Sequence, residues 1–213
     1  MILSALAALL VLTAAHAGDD LPPQAVEAWR AMSVVRSLEA SFEQSRTTTL
    51  LTQPLVSTGT LRFVRPDKLA WIVEQPGRST MVVSGSKVGM SYPDLGVYEQ
   101  LDLAGDPDAE RLVRSMMVWL AGDLEQVSRD YGLVWAAAPA GGPEGALHLA
   151  TLSPRDPTMA ALVSRLELTL GGEPLRVLAV TMHEPDGDRV DIVMHDVRLE
   201  PDLPDDAFSI GGP

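Results

Sequence analysis

The chain has 213 residues, of which 46% are hydrophobic and 21% charged, and a formal net charge of −13. That is one ordinary globular domain or at most two small ones, and it excludes a disordered polymer and a polytopic membrane protein. The carboxylate excess argues against a nucleic-acid partner, whose phosphates would be repelled, and zero cysteines exclude disulfides, thiolate zinc sites, a Cys nucleophile and a lipid-modified N-terminal Cys.

Met1 to Ala14, MILSALAALLVLTA, is an uncharged apolar stretch too short to cross a bilayer. Ala15-His16-Ala17 follows with the small-x-small pattern of a signal-peptidase site. Residues 1–17 therefore read as a cleaved secretory signal and residues 18–213 as a single mature domain, working in the periplasm or outside the cell.

Behind Pro22 and Pro23, the residues Val26, Trp29, Met32 and Val35 recur at three-residue steps, which predicts a short helix with one face to bury. From Leu38 the period changes to two. Leu38, Ala40, Phe42, Gln44 and Arg46 alternate with Glu39, Ser41, Glu43 and Ser45, as in a strand with one half-buried face. Short apolar runs then follow at Val56 to Val64, Leu69 to Val73, Thr80 to Val83, Val88 to Tyr92 and Val97 to Leu103. The segments Val64-Arg65-Pro66-Asp67, Ser84-Gly85-Ser86-Lys87 and Pro93-Asp94-Leu95-Gly96 supply turns between them, so the region reads as an antiparallel meander.

Asp106 to Leu120 breaks the rhythm. Ala109, Leu112, Val113, Met116, Met117 and Leu120 recur at helical steps behind an Asp-Pro-Asp start, which predicts an amphipathic helix inserted between strands. Strand patterns resume at Leu133 to Ala138, Leu147 to Leu152, Leu166 to Leu170, Leu175 to Met182 and Arg189 to Leu199, with a further short helix over Thr158 to Ser164. About ten strands and two or three helices make an α+β domain. Its single antiparallel sheet would curl into a barrel or half-barrel with helices against its mouth or concave side.

Polar motifs are sparse. Ser84-x-x-Lys87 has the nucleophile spacing of penicillin-interacting enzymes but falls in a turn between strands, and no other nucleophile or phosphate-loop signature is present. His183, His195, Asp191 and Asp196 would approach one another across a hairpin, while Asp186-Gly187-Asp188 resembles a fragment of a calcium loop without its remaining oxygen ligands. Acidic pairs such as Asp205 with Asp206 have no recognisable cleft. The expectation is no catalytic residue, no metal and no cofactor. The apolar inventory says more: Met90, Met116, Met117, Trp71, Trp119, Phe63 and Tyr92 fall on inward strand faces or on the inserted helix, and Met side chains adapt to irregular apolar partners.

Phe42-Glu43-Gln44, Gly59-Thr60-Leu61-Arg62-Phe63, Arg65-Pro66, Leu69-Ala70-Trp71, Gln75-Pro76 and Val83-Ser84-Gly85 stand in the order and spacing of the LolA family of periplasmic lipoprotein carriers. Weaker similarity runs through Leu149 to Pro154 and through Leu203-Pro204-Asp205-Asp206-Ala207-Phe208, so the chain resembles that family over nearly all of its mature length. The resemblance implies an unclosed barrel of about eleven antiparallel strands with a helical lid over a hydrophobic cavity. It also implies a monomer that carries an acylated lipoprotein or lipid-like cargo between an inner-membrane releasing complex and an outer-membrane acceptor. The matching cavity positions are Phe42, Leu61, Phe63, Trp71, Met90, Tyr92, Met116, Met117 and Leu120, and Arg65 matches the arginine that latches the lid of the free form. The chain departs from the family in its few aromatic residues, with Ile72 and Val73 where aromatics are more usual, in a short tail after Phe208 and in its strong acidity. Gln53 to Leu61 is also similar to LolA-related proteins that accompany polyene-pigment or glycolipid export. A lipid-sensing regulator on the same fold is the alternative function.

Overall fold

The computed structural model describes residues 21–106, 110, 113, 114, 117–120 and 122–209. The signal-peptide reading of residues 1–17, with Gly18 as the mature start, and the positions Ala109, Leu112 and Met116 lie outside them.

Helix α1 (Pro23–Ser33) opens on Pro at its first turn and buries Ala25, Ala28, Trp29 and Met32. The buried stripe follows i, i+3, i+4, i+7. Val26 and Val35 are only half-buried, because the helix closes at Ser33 and Val35 already belongs to the extended connection.

Eleven strands then form one antiparallel sheet in the order β6-β5-β4-β3-β2-β1-β11-β10-β9-β8-β7, with two free edges. Their bounds are β1 (Ser37–Thr47), β2 (Leu55–Val64), β3 (Lys68–Gln75), β4 (Ser79–Ser84), β5 (Lys87–Tyr92), β6 (Val97–Asp102), β7 (Tyr131–Ala137), β8 (Ala146–Pro154), β9 (Arg165–Gly171), β10 (Arg176–His183) and β11 (Arg189–Leu199). Each of the eleven answers to an expected run; what the runs did not convey is that β1 and β11 pair at the middle, so the two halves of the chain fan out from a common seam.

Because successive side chains in a strand face opposite ways, the register sorts the residues into two faces. On the inner face Leu38, Phe63, Leu69, Val83 and Val88 form one row across β1 to β5, and Ala40, Leu61, Trp71, Met81 and Met90 the next. Met90 apart, these rows join Ala150, Leu152, Leu166, Leu168, Val180, Ile192 and Met194 from the other half in a single apolar cluster. On the outer face Ala70 and Val82 are covered by Phe208, whose 3-10 turn (Asp205–Phe208) carries the tail back over β3 and β4. Beside it Glu39 is held between Arg62, at 2.8 Å, and Arg198.

Among the described residues, 110, 113, 114 and 117–120 are helical, within the Asp106 to Leu120 expectation. The burial is not that of an amphipathic helix at its end: Met117, Val118 and Trp119 are consecutive and all buried, so this turn is enclosed on more than one side. A helix that the apolar period did not announce, α2 (Leu124–Asp130), follows at once. Asp123 caps it by accepting from the Gln126 N–H at 3.0 Å, and it sends Val127 into the core. The short α3 (Pro157–Ala160) starts the predicted Thr158 to Ser164 helix but closes one turn later.

The connection between β1 and β2 is fixed at its base. Asp188, nearly buried, accepts from the Thr49 N–H at 3.0 Å, and Arg46 bridges to Glu184 at 2.9 Å. The Thr49 N–H, with help from the Thr48 hydroxyl and Arg46, holds the Asp188 carboxyl below the usual carboxylate range despite its desolvation. A carboxyl depressed in this way contributes its stability in full above the unfolded value of about 3.9 and loses it as pH falls through the folded value. Urea unfolding of the protein and of Asp188→Asn should therefore differ at pH 7, and the difference should begin to shrink only below about pH 4. A constant difference from pH 7 to pH 3 would show that the carboxylate charge is not the source.

Candidate functional site

The inner face is covered unevenly. Phe42, Leu61 and Phe63 are 2%, 0% and 1% exposed beneath α1 and the 117–119 turn. Toward β5, by contrast, Trp71, Val73, Met81, Val88, Met90 and Tyr92 are only half-buried, and every residue of the edge strand β6 is exposed. Thus an apolar strip about three strands wide runs from the filled centre to an open edge. Phe42 and Trp71 stack at 4.1 Å with an interplanar angle of 28°, forming the boundary between the filled and the half-open parts. Gly59, which pairs with Phe42, makes this possible: a Cβ there would stand 2.9 Å from the Phe42 ring and 1.9 Å from the Ile72 carbonyl oxygen.

The expected cavity residues thus fall into three groups. Phe42, Leu61, Phe63 and Met117 are packed into the core; Trp71, Met90, Tyr92 and Leu120 are half-buried around it; Met116 is outside the described residues. The Tyr92 hydroxyl approaches the Met90 sulfur at 3.9 Å, and Glu99 on β6 pairs with Met90, placing one carboxylate at the open margin of the strip. Two grooves of about 800 and 630 Å³ both involve Glu39 and Arg198 and are lined by polar and apolar side chains together; neither is lined by the half-buried strip. Among the described residues, Trp29 and Met32 of α1 and Met117, Val118 and Trp119 share one apolar cluster with Phe42, Leu61 and Phe63.

Arg65 stands in the β2–β3 turn. Its Nε donates to the Val35 carbonyl at 2.7 Å and its Nη2 to the Met32 carbonyl at 3.5 Å, so the guanidinium ties the C-terminal end of α1 to the sheet. Burial lowers its pKa while the charge of Asp123 opposes that effect, and at neutral pH the group stays cationic. The same turn of α1 touches the next helical region: Gly122, at φ +61°, would put a Cβ 2.8 Å from the Met32 Cβ. Arg65, the end of α1 and the Gly122-Asp123 corner thus meet in one junction.

Other polar candidates have plain positions. Ser84 and Lys87 are paired across the tight β4–β5 turn, at whose apex Gly85 takes φ +61°. Glu184, Asp186 and Asp188 bring ligand atoms within 4.8 Å of one another, but Asp188 and Glu184 are engaged by Thr49 and Arg46. Asp191 accepts from Thr181 at 2.9 Å and from Arg189 at 2.8 Å, while Asp196 lies beside Ser41 at 3.3 Å; these contacts are structural. Trp29, expected only as one residue of the apolar stripe, is fully buried with an indole N–H that has no hydrogen-bond partner among the described residues.

An open antiparallel sheet with helices seated on its apolar face is the half-barrel class of binding fold. The chain belongs to the LolA family: residues 33–211 match the model described as outer membrane lipoprotein carrier protein LolA. An outer-membrane lipoprotein carrier protein of Pseudomonas fluorescens (strain Pf0-1) is 31% identical over 137 residues, 63% of this chain, and the match spans 60% of that relative's length. Among solved structures, an uncharacterized conserved protein of Thermus thermophilus aligns over 87% of this chain and 92% of its own, with a TM-score of 0.54 at 10% identity. MucB aligns over 89% of this chain and 64% of its own, with a TM-score of 0.53 at 14% identity. At these identities the likeness carries the fold.

Proposed function

We propose that this protein is a periplasmic carrier without catalytic activity, which takes up the acyl chains of a lipoprotein or a related lipid and passes them toward an outer-membrane acceptor. The observation that supports this reading is the half-buried strip of Trp71, Val73, Met81, Val88, Met90 and Tyr92 leading from an open sheet edge toward the helices that share the apolar cluster. Each CH₂ withdrawn from water is worth about 0.8 kcal/mol, so a sixteen-carbon chain has roughly 12 kcal/mol at stake. Release requires that this gain be opposed, and refilling the space with α1 and the 117–119 turn opposes it. An acyl chain enters along the strip and displaces these helices from the sheet.

Titration with an acylated peptide and with an environment-sensitive apolar dye should give dissociation constants below about 100 μM. Met81→Glu, which sets a carboxylate in the strip, should weaken both by at least about tenfold, since an unpaired charge resists burial. Absence of binding to either probe, or full affinity in Met81→Glu, would count against the reading. Mass spectrometry of lipids captured on the protein would then distinguish a lipoprotein from a glycolipid or polyene cargo. Stable capture of an inner-membrane regulatory protein with no lipid transfer would favour the sensor alternative.

A further inference from the structure

We propose that the tip of the β1–β2 hairpin is a membrane-contact element that seats its leucines among the headgroups of a zwitterionic phospholipid bilayer. Leu50 is 89% exposed, Leu51 48%, Leu55 56% and Val56 52%, all at one hairpin end. In an otherwise acidic chain, no charged residue stands between Arg46 and Arg62. The tip is built rather than loose: Thr49 N–H bonds Asp188, the Leu50 N–H bonds the Thr48 hydroxyl at 3.2 Å, and the Leu51 N–H bonds the Thr48 carbonyl at 3.3 Å. Local bonds thus satisfy backbone donors at the tip while the leucyl side chains point away from the core, the arrangement needed to enter a medium poor in hydrogen-bond partners.

Area and charge select the occupant. Four such side chains present a few hundred Å² of apolar surface, well short of the roughly 800 Å² that each partner buries in a stable protein interface, so a second copy of the chain is not favoured. A bilayer surface needs no such area, since shallow insertion of a few aliphatic side chains already gives reversible attachment. The net charge of −13 opposes anionic lipid, whereas an uncharged tip is compatible with a zwitterionic surface. The tip lies at the opposite end of the central hairpin from Arg65 and the end of α1, so membrane contact and the opening of the helices engage different ends of β1 and β2.

The test is flotation of the full chain, free of cargo, with phosphatidylcholine vesicles. Leu50→Ser with Leu51→Ser should lower partitioning by about tenfold or more. Leu147→Ser, which removes a 51% exposed leucine near the other end of the sheet, should leave it unchanged. Replacing half the lipid with phosphatidylglycerol should weaken binding at low salt, and added salt should restore it. Equal flotation of the protein and the tip variant, no flotation of the protein, or tighter binding to phosphatidylglycerol would each overturn the proposal. So would a concentration-dependent dimer abolished by the tip variant, which would make a second copy the occupant. The acylated-peptide titration separates this proposal from the carrier reading: the tip variant should bind that probe normally, and a loss there would assign the tip to cargo instead.

Discussion

Gly59→Ala should lower folding stability by about 3 kcal/mol, and the melting temperature by roughly 10 °C, although it adds a single methyl group. Glycine inside a strand ordinarily weakens it, and alanine at an unobstructed site would be neutral or better. Here the added carbon would lie 1.9 Å from the Ile72 carbonyl oxygen, a backbone atom in the adjacent strand. No rotamer change relieves that contact; β2 and β3 must separate where the ladder already shifts register between Thr58 and Gly59. The second contact, at 2.9 Å, is with the ring of Phe42, which stacks on Trp71. A double variant with Phe42→Leu removes only this second contact and should not restore stability. Full rescue by Phe42→Leu, or a loss under about 1 kcal/mol in the single variant, would show that the ladder gives way easily.

Arg65→Leu is expected to separate stability from cargo affinity. In the free form its guanidinium holds the Val35 carbonyl just after α1 and the Met32 carbonyl in its last turn, at 2.7 and 3.5 Å. Their loss should cost the free protein about 1–2 kcal/mol. If α1 must leave the sheet before an acyl chain can occupy its place, weakening the closed form favours the loaded one. A shift of about 1.4 kcal/mol tightens cargo binding tenfold and slows release. Arg65→Lys, which keeps the charge but not the forked donors, should fall between the two. Lower melting temperature with unchanged transfer kinetics would reduce Arg65 to a staple of the turn.

Much of the architecture is legible from residue order because each strand carries its own period and each turn its own glycine or proline. Ser84-Gly85-Ser86-Lys87 is a tight turn in the structure for the reason read from the sequence, a left-handed glycine at its apex. Where the reading failed, tertiary contacts had taken over from local pattern. The stripe of α1 is displaced from Val26 and Val35 to Ala25 and Ala28, a packing choice that hydrophobicity alone does not express. Helix α2 has only Leu124 and Val127 to mark a period, and its evidence was instead Asp123 three residues before Gln126, the spacing of a capping pair. Consecutive burial at Met117, Val118 and Trp119 depends on what surrounds a segment from several directions. The candidate site was less legible than the fold. Periodicity puts Phe63 and Met90 on the same face, yet only the assembled sheet distinguishes a 1% exposed core ring from a half-buried side chain near an open margin.

The two unpaired edges at β6 and β7 have a mechanical consequence. A closed barrel has its girth set by strand number and stagger, and widening it means breaking a ladder. This sheet is a ribbon with free ends, so it can flatten or tighten by small changes of twist at every pair while all ten ladders survive. Guests of different bulk, from one hydrocarbon tail to several, would then be accommodated by bending, and the free energy of accommodation would rise smoothly with their size.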